Sequence, residues 1–112
     1  MNYSIDVQGG GKAMEYTRKQ DTVTVKLSGE LDHCSAQGIR RELDQLLEEP
    51  GVKKMVLDMK NMSFMDSSGI GVILGRYRVL AQRGGKMAVK NMNEHVKRIF
   101  ILSGMNQIIG MM

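Results

Sequence analysis

Asn61-Met62-Ser63-Phe64-Met65-Asp66-Ser67-Ser68-Gly69-Ile70-Gly71-Val72-Ile73-Leu74-Gly75-Arg76-Tyr77 is the stretch on which the fold turns. It follows Met55-Val56-Leu57-Asp58-Met59, which is apolar at nearly every position. That pattern predicts a strand buried on both faces, with parallel neighbours. The stretch itself reads as a loop that delivers two adjacent serines onto a helix starting near Ser67 or Ser68 and running to about Arg83. Ile70, Ile73, Leu74, Tyr77 and Leu80 recur at helical spacing and form its core stripe. Its other side carries Ser68, Gly71, Val72, Gly75, Arg78 and Val79. A glycine inside a helix costs about 1 kcal/mol relative to Ala. Two of them four residues apart leave a flat surface that another backbone can approach.

Working outward, Ala13 to Arg18 and Thr22 to Ser28 alternate with the period of half-buried strands. Lys19-Gln20-Asp21 between them is short enough for a hairpin turn, and Gly29-Glu30-Leu31-Asp32-His33 ends the second strand. Ser35 to Glu49 is a predicted helix. Ala36, Ile39, Leu43, Leu46 and Leu47 lie on one stripe, Arg40, Arg41, Asp44 and Glu48 lie opposite, and Pro50-Gly51 stops it. After the central helix and Gly84-Gly85, Lys86 to Lys90 is a short strand. Glu94 to Ser103 is a third helix with Val96, Ile99 and Phe100 inward. Gly104 caps it, and Gln107-Ile108-Ile109 is the last strand-like run. The order ββαβαβαβ predicts an α/β domain: a mixed sheet with an N-terminal hairpin, right-handed crossovers and about three helices packed on it. Residues 1–12, with Gly9-Gly10-Gly11, read as a flexible lead-in to a single domain over 13–112. Tyr3, Ile5 and Val7 alternate, which also allows a short edge strand there.

The 112 residues suffice for one domain. Aromatics are 4% of the chain, so the core is aliphatic, and 11 methionines help to fill it. The formal charge of +4 comes from scattered basic residues with few aromatics to stack on bases, which argues against nucleic-acid binding. A lone Cys34 cannot form an internal disulfide and fits a reducing compartment. No apolar run reaches the roughly 18 residues of a membrane span, and no signal-peptide pattern opens the chain. A soluble cytoplasmic protein is expected.

The serines set the chemical question. A nucleophile elbow would need a Gly-x-Ser-x-Gly frame, and Asp66-Ser67-Ser68-Gly69-Ile70 lacks it. The two histidines, His33 and His95, fall at element ends where surface or capping roles are commoner than catalysis. An enzyme is therefore not expected. A helix N-terminus attracts phosphate, but Asp66 at its mouth repels one, and no phosphate-loop spacing is present. Neither a cofactor nor a metal is expected: Asp32, His33 and Cys34 are adjacent and lack the spaced pairs of a zinc site. Asp66 or Ser67 could simply cap the helix. A phosphorylation switch suits the pattern best. A phosphoserine adds about −1.5 to −2 charges, which a helix N-terminus tolerates, while next to Asp66 it would make the surface beside Gly71 and Gly75 strongly negative.

Ser63-Phe64-Met65-Asp66-Ser67-Ser68-Gly69 running into Gly71-Val72-Ile73-Leu74-Gly75-Arg76-Tyr77 resembles the STAS-domain anti-sigma factor antagonists, particularly those of sporulation. Gly29-Glu30-Leu31-Asp32-His33, Val96-Lys97-Arg98-Ile99-Phe100 and Ser103-Gly104 support the likeness, which covers roughly Thr22 to Ile109. The resemblance implies a protein whose unphosphorylated form binds an anti-sigma factor that is also a serine kinase, thereby releasing a sigma factor. It implies Ser67 as phosphoacceptor, with phosphorylation ending the binding and a serine phosphatase restoring it. Asp32, Asp66, Ser68, Gly69, Ile70, Gly71, Val72 and Gly75 would form the docking surface. The alternative is a constitutive scaffold module of a signalling complex in which Ser67 is mainly a helix cap. Family members usually end with a further helix, whereas this chain stops at Gly110-Met111-Met112. A missing or shortened C-terminal helix is thus expected, with a monomer or weak homodimer as the assembly.

Overall fold

The computed structural model describes residues 2–6 and 13–112. In chain order the elements are β1 (Asn2–Asp6), β2 (Ala13–Lys19), β3 (Thr22–Leu31), α1 (Ala36–Leu47), β4 (Lys54–Met65), α2 (Ser67–Gln82), β5 (Lys86–Lys90), α3 (Glu94–Leu102), a 3-10 turn at Met105–Gln107 and β6 (Gly110–Met111). The six strands lie side by side in sequence order. β1, β2 and β3 pair antiparallel, and β3 to β6 pair parallel. This is the mixed α/β sheet with a leading hairpin and three helices that the element order predicts. β1 is the edge strand that the alternation of Tyr3 and Ile5 allowed, and residues 7–12, with their glycines, lie outside the described residues.

Alternation builds the core. Val23 and Val25 of β3 stand in register with β4, Val23 opposite Met55 and Val25 opposite Leu57, Met87 and Val89 continue the rows on β5, and Leu27 falls where the β3–β4 register shifts. These residues join Ile39, Leu43, Leu46 and Leu47 of α1 and Ile73 and Leu80 of α2 in one cluster. The opposite sheet face is polar at its edges. Its row Lys26–Asp58–Lys90 sets a buried carboxylate between two lysines. The Asp58 side chain accepts from Asn91 Nδ2 (3.0 Å) and from the Lys60 amide (3.1 Å). Burial pushes its carboxyl upward, yet the Asn91 and Lys60 hydrogen bonds and the charges of Lys90 and Lys26 outweigh this and hold it below the usual carboxylate value.

Three boundaries differ from expectation. β4 does not stop at Met59 but runs to Met65, so the expected loop over residues 60–65 is strand. Its polar Lys60, Asn61 and Ser63 are exposed while Met62 and Met65 are buried. β3 likewise continues through Gly29 to Leu31. Gly29 has φ +86° where the pairing with β4 shifts register, and a bulge of this kind bends a strand without ending it. At the other end, residues 107–109 are not the last strand. Met105–Gln107 forms a 3-10 turn after Gly104 (φ +81°), and pairing with β5 begins only at Gly110, opposite Ala88. α3 is fixed at its start by Asn93, whose Oδ1 accepts from the Val96 amide (2.8 Å) while its Nδ2 donates to the Met62 carbonyl (3.0 Å). Of the residues expected inward on α3, Val96 and Phe100 are fully buried and Ile99 is partly exposed. No helix of the described residues is long and apolar enough to cross a membrane.

Candidate functional site

The extended strands deliver two chain segments to one place. β3 ends at Leu31 opposite Met65, the end of β4, so the loop after β3 and the start of α2 emerge side by side. Asp66 joins them. Its backbone is extended (φ −119°, ψ −169°), and its Oδ1 accepts from the amides of Ser68 (2.8 Å) and Gly69 (3.3 Å) at the open N-terminus of α2. Its Oδ2 accepts from the His33 amide at 3.3 Å, and its own amide donates to the Leu31 carbonyl at 3.3 Å. Asp66 is thus both the cap of the helix and the tie to the neighbouring loop. Because Asp66 makes the capping bonds, Ser67 is not the cap. It is the first residue of α2, and it is exposed.

The loop after β3 is held by a second aspartate. Asp32 Oδ1 accepts from the amides of Cys34 and Ser35, both at 3.0 Å. The Ser35 hydroxyl donates to the Glu30 carbonyl at 2.6 Å. The Ser35 amide foremost, with further help from its hydroxyl and the Cys34 amide, holds the Asp32 carboxyl below its ordinary value against a smaller desolvation effect. Asp32 therefore stays ionised beside the mouth of α2, as Asp66 caps it.

The remaining expected site residues divide by depth. Gly71 is exposed and Gly75 partly so, and a Cβ on either would meet nothing within 4 Å. With partly exposed Ser68 they form the flat side of α2. Gly69 belongs elsewhere. It is buried, and a Cβ there would lie 2.6 Å from Met65 Cγ, 2.7 Å from the Leu31 carbonyl oxygen and 2.8 Å from Leu31 Cγ. Its role is the close seating of the helix start on the strand ends. Val72, expected on the outer face, is buried in the core cluster, and only its edge reaches the groove beside Gly71. Ile70 is half-buried against the same cluster.

Between α1 and α2 runs a groove of about 510 Å³, whose walls include Gln37 and Arg40 of α1 and Ser68, Gly71, Gly75 and Arg76 of α2. Arg76 is the residue that the sequence reading left out. Its side chain is only 8% exposed, and its Nε lies 2.9 Å from Asp44 Oδ1. Asp44 Oδ2 in turn lies 3.8 Å from Arg40 Nε. The signal was present: Ser68, Val72 and Arg76 follow one another at four-residue spacing, which places them on one face of a helix. Among the described residues no three His, Cys, Asp or Glu side chains converge as metal ligands would.

The STAS domain family model matches residues 13–112. The chain belongs to the STAS family. An anti-sigma F factor antagonist of Paenibacillus polymyxa is 42% identical over 96 residues, which is 86% of this chain and 82% of that protein. An anti-sigma-B factor antagonist of Bacillus subtilis is 30% identical over 109 residues, 97% of this chain and 90% of that one. The unphosphorylated form of the anti-sigma factor antagonist SpoIIAA superimposes with a TM-score of 0.77 at 30% identity, covering 88% of this chain and 87% of that one. The phosphorylated form of the Bacillus SpoIIAA gives 0.69 at 29% identity, covering 88% and 90%. This STAS domain therefore carries its exposed Ser67 on a fold found in both phosphorylation states of a relative.

Proposed function

We propose that this protein is an anti-sigma factor antagonist controlled by phosphorylation. Its unphosphorylated form binds, in the cytoplasm, an anti-sigma factor that is also a serine kinase, and so frees a sigma factor. Phosphate transferred to Ser67 ends that binding, and a serine phosphatase restores it. The protein acts as a substrate and a ligand, with no catalysis of its own. The observation that carries the reading is the division of labour at the start of α2: Asp66 caps the helix while Ser67 stands exposed beside it. A phosphate at the first helical residue meets the positive end of the helix dipole, so the fold tolerates it. The same phosphate stands next to Asp66 and the Asp32 loop, where it builds a strongly negative surface that repels a partner seated on Gly71 and Gly75.

The relatives' names and the two forms of SpoIIAA support the reading, and a kinase assay tests it. With ATP and the anti-sigma F factor of Paenibacillus polymyxa, a single phosphate is expected, located on Ser67 by mass spectrometry. Labelling of Ser67→Ala as strong as that of the wild type would remove the site assignment. The scaffold alternative keeps only a module without Ser67 as cap, since Asp66 makes the side-chain capping bonds.

A further inference from the structure

Arg76 presents an unsolved valence. Only 8% of its side chain is exposed, and buried guanidinium N–H groups are ordinarily hydrogen-bonded. Although its Nε lies close to Asp44 Oδ1, the N–H is not aligned for a hydrogen bond, and neither Nε nor Nη1 has a hydrogen-bond acceptor among the described residues. Asp44 is itself 41% exposed and shared with Arg40 at 3.8 Å. Two guanidinium groups thus share one carboxylate beside the groove. Desolvation lowers the Arg76 pKa, Asp44 opposes this and Arg40 adds to it; the group remains a cation at neutral pH.

The groove around it is shaped for a protein rather than a small dianion. Gly71 and Gly75 leave one wall without side chains, so a partner backbone can come close enough for a short acidic side chain to reach inward. Asp66 and Asp32 stand near the Ser68 end and disfavour a doubly charged phosphate. A single carboxylate matches the charge and offers acceptor atoms to the guanidinium.

We propose that the α1–α2 groove receives an Asp or Glu side chain of the anti-sigma factor, its carboxylate accepting from the Arg76 guanidinium with Arg40 at the rim. This deepens the antagonist reading and rests on it. It also gives the switch a specific antagonist pair: Ser68 lines the groove and Ser67 is its neighbour, so a phosphate on Ser67 repels the very carboxylate that anchors the partner.

The test is calorimetric titration of the full chain with the Paenibacillus polymyxa anti-sigma F factor, with thermal melts to confirm that each variant is folded. Removing one partner of a buried, hydrogen-bonded charge pair weakens binding by about 30-fold or more. Arg76→Gln should show that loss, with partial recovery in Arg76→Lys. Asp44→Asn removes the internal competitor and should bind as tightly as the wild type or more tightly. If Arg76 only braces α1 against α2, Asp44→Asn will instead weaken binding as Arg76→Gln does, and that result overturns the proposal. So does Arg76→Gln binding within twofold of wild type. Should the Arg76 variants not fold, Arg40→Gln, on the exposed side of α1, carries the test: reduced affinity supports the anchor and unchanged affinity refutes it. Absence of any binding by the wild-type chain removes the antagonist reading itself, a failure distinct from the loss of the anchor alone.

Discussion

Replacing Gly69 and Gly71 by Ala, two residues apart on one helix, should move stability in opposite directions. Both changes gain about 1 kcal/mol of helix propensity. At Gly71 the new methyl meets nothing within 4 Å, so the gain is kept and Gly71→Ala should be more stable by about 0.5–1 kcal/mol. At Gly69 the methyl would lie 2.7 Å from the Leu31 carbonyl oxygen and 2.6 Å from Met65 Cγ. The methionine can yield, but the carbonyl is backbone and accepts the Asp66 amide at 3.3 Å. Overpacking costs about 1–3 kcal/mol, and disturbing that hydrogen bond adds about 1 kcal/mol. After the propensity gain, Gly69→Ala should be destabilised by about 1–3 kcal/mol. With a urea m-value near 2 kcal/mol per molar, the midpoints should move by about +0.3 to +0.5 M for Gly71→Ala and −0.5 to −1.5 M for Gly69→Ala. An unchanged midpoint for Gly69→Ala, or a lowered one for Gly71→Ala, would refute the division of α2 into a seated and an open side. The binding consequence runs against stability: the more stable Gly71→Ala should bind the anti-sigma factor more weakly, because the methyl would stand on the proposed docking face.

Ser67→Glu should leave the melting temperature within a few degrees of wild type and weaken binding to the anti-sigma factor, read by calorimetry; undiminished affinity would contradict the switch. Asp66→Ala removes the α2 cap and the tie to His33, so a loss of about 1–2 kcal/mol in urea denaturation is expected, and full retention of stability would show that Asp66 is not the cap. Asp58 is held below its ordinary value, so the stability it contributes is fully present above the unfolded carboxylate value of about 3.9 and disappears as pH falls through the lower folded value. Asp58→Asn should therefore have a flatter acid limb than wild type below about pH 4, and identical limbs would show that the Asn91 and lysine contacts do not favour the charged form.

The parts of this fold that sequence reading reached are those governed by periodicity. The helical stripes of Ile39, Leu43, Leu46 and Leu47 and of Ile73 and Leu80, and the alternation of Val23, Val25 and Leu27, each reached the core in the expected sense. What escaped it depends on neighbours distant in sequence. Lys60, Asn61 and Ser63 look like loop residues because local polarity cannot reveal that β3 stays beside them through Leu31. Gly29 looks like a terminator because nothing local distinguishes a bulge from an end. Val72 and Gly71 are adjacent in sequence but differ in depth because Val72 joins the core cluster while a Cβ at Gly71 would meet open space. Arg76 is hidden for the same reason: a charged residue on a helix is usually solvated, and its ion-pair partner, Asp44, lies on another element.

On the proposed reading, the start of α2 separates two jobs, capping and accepting phosphate, that a single residue could have combined. A serine that both capped the helix and accepted phosphate would have its capping hydroxyl oxygen turned into a phosphate-ester oxygen on modification, so the signal would also disturb the cap. Here Asp66 makes the capping bonds and Ser67 makes none of them. Gly69 presses the helix start onto Leu31 and Met65, and the Asp66–His33 bond locks the adjoining loop. A phosphate on Ser67 would therefore arrive on a frame that does not depend on the residue it modifies, and its free energy would be expressed at the surface. With the proposed docking face lying along Ser68, Gly71 and Gly75, that surface is the one a partner would touch, so the proposed switch would change affinity with little change in shape.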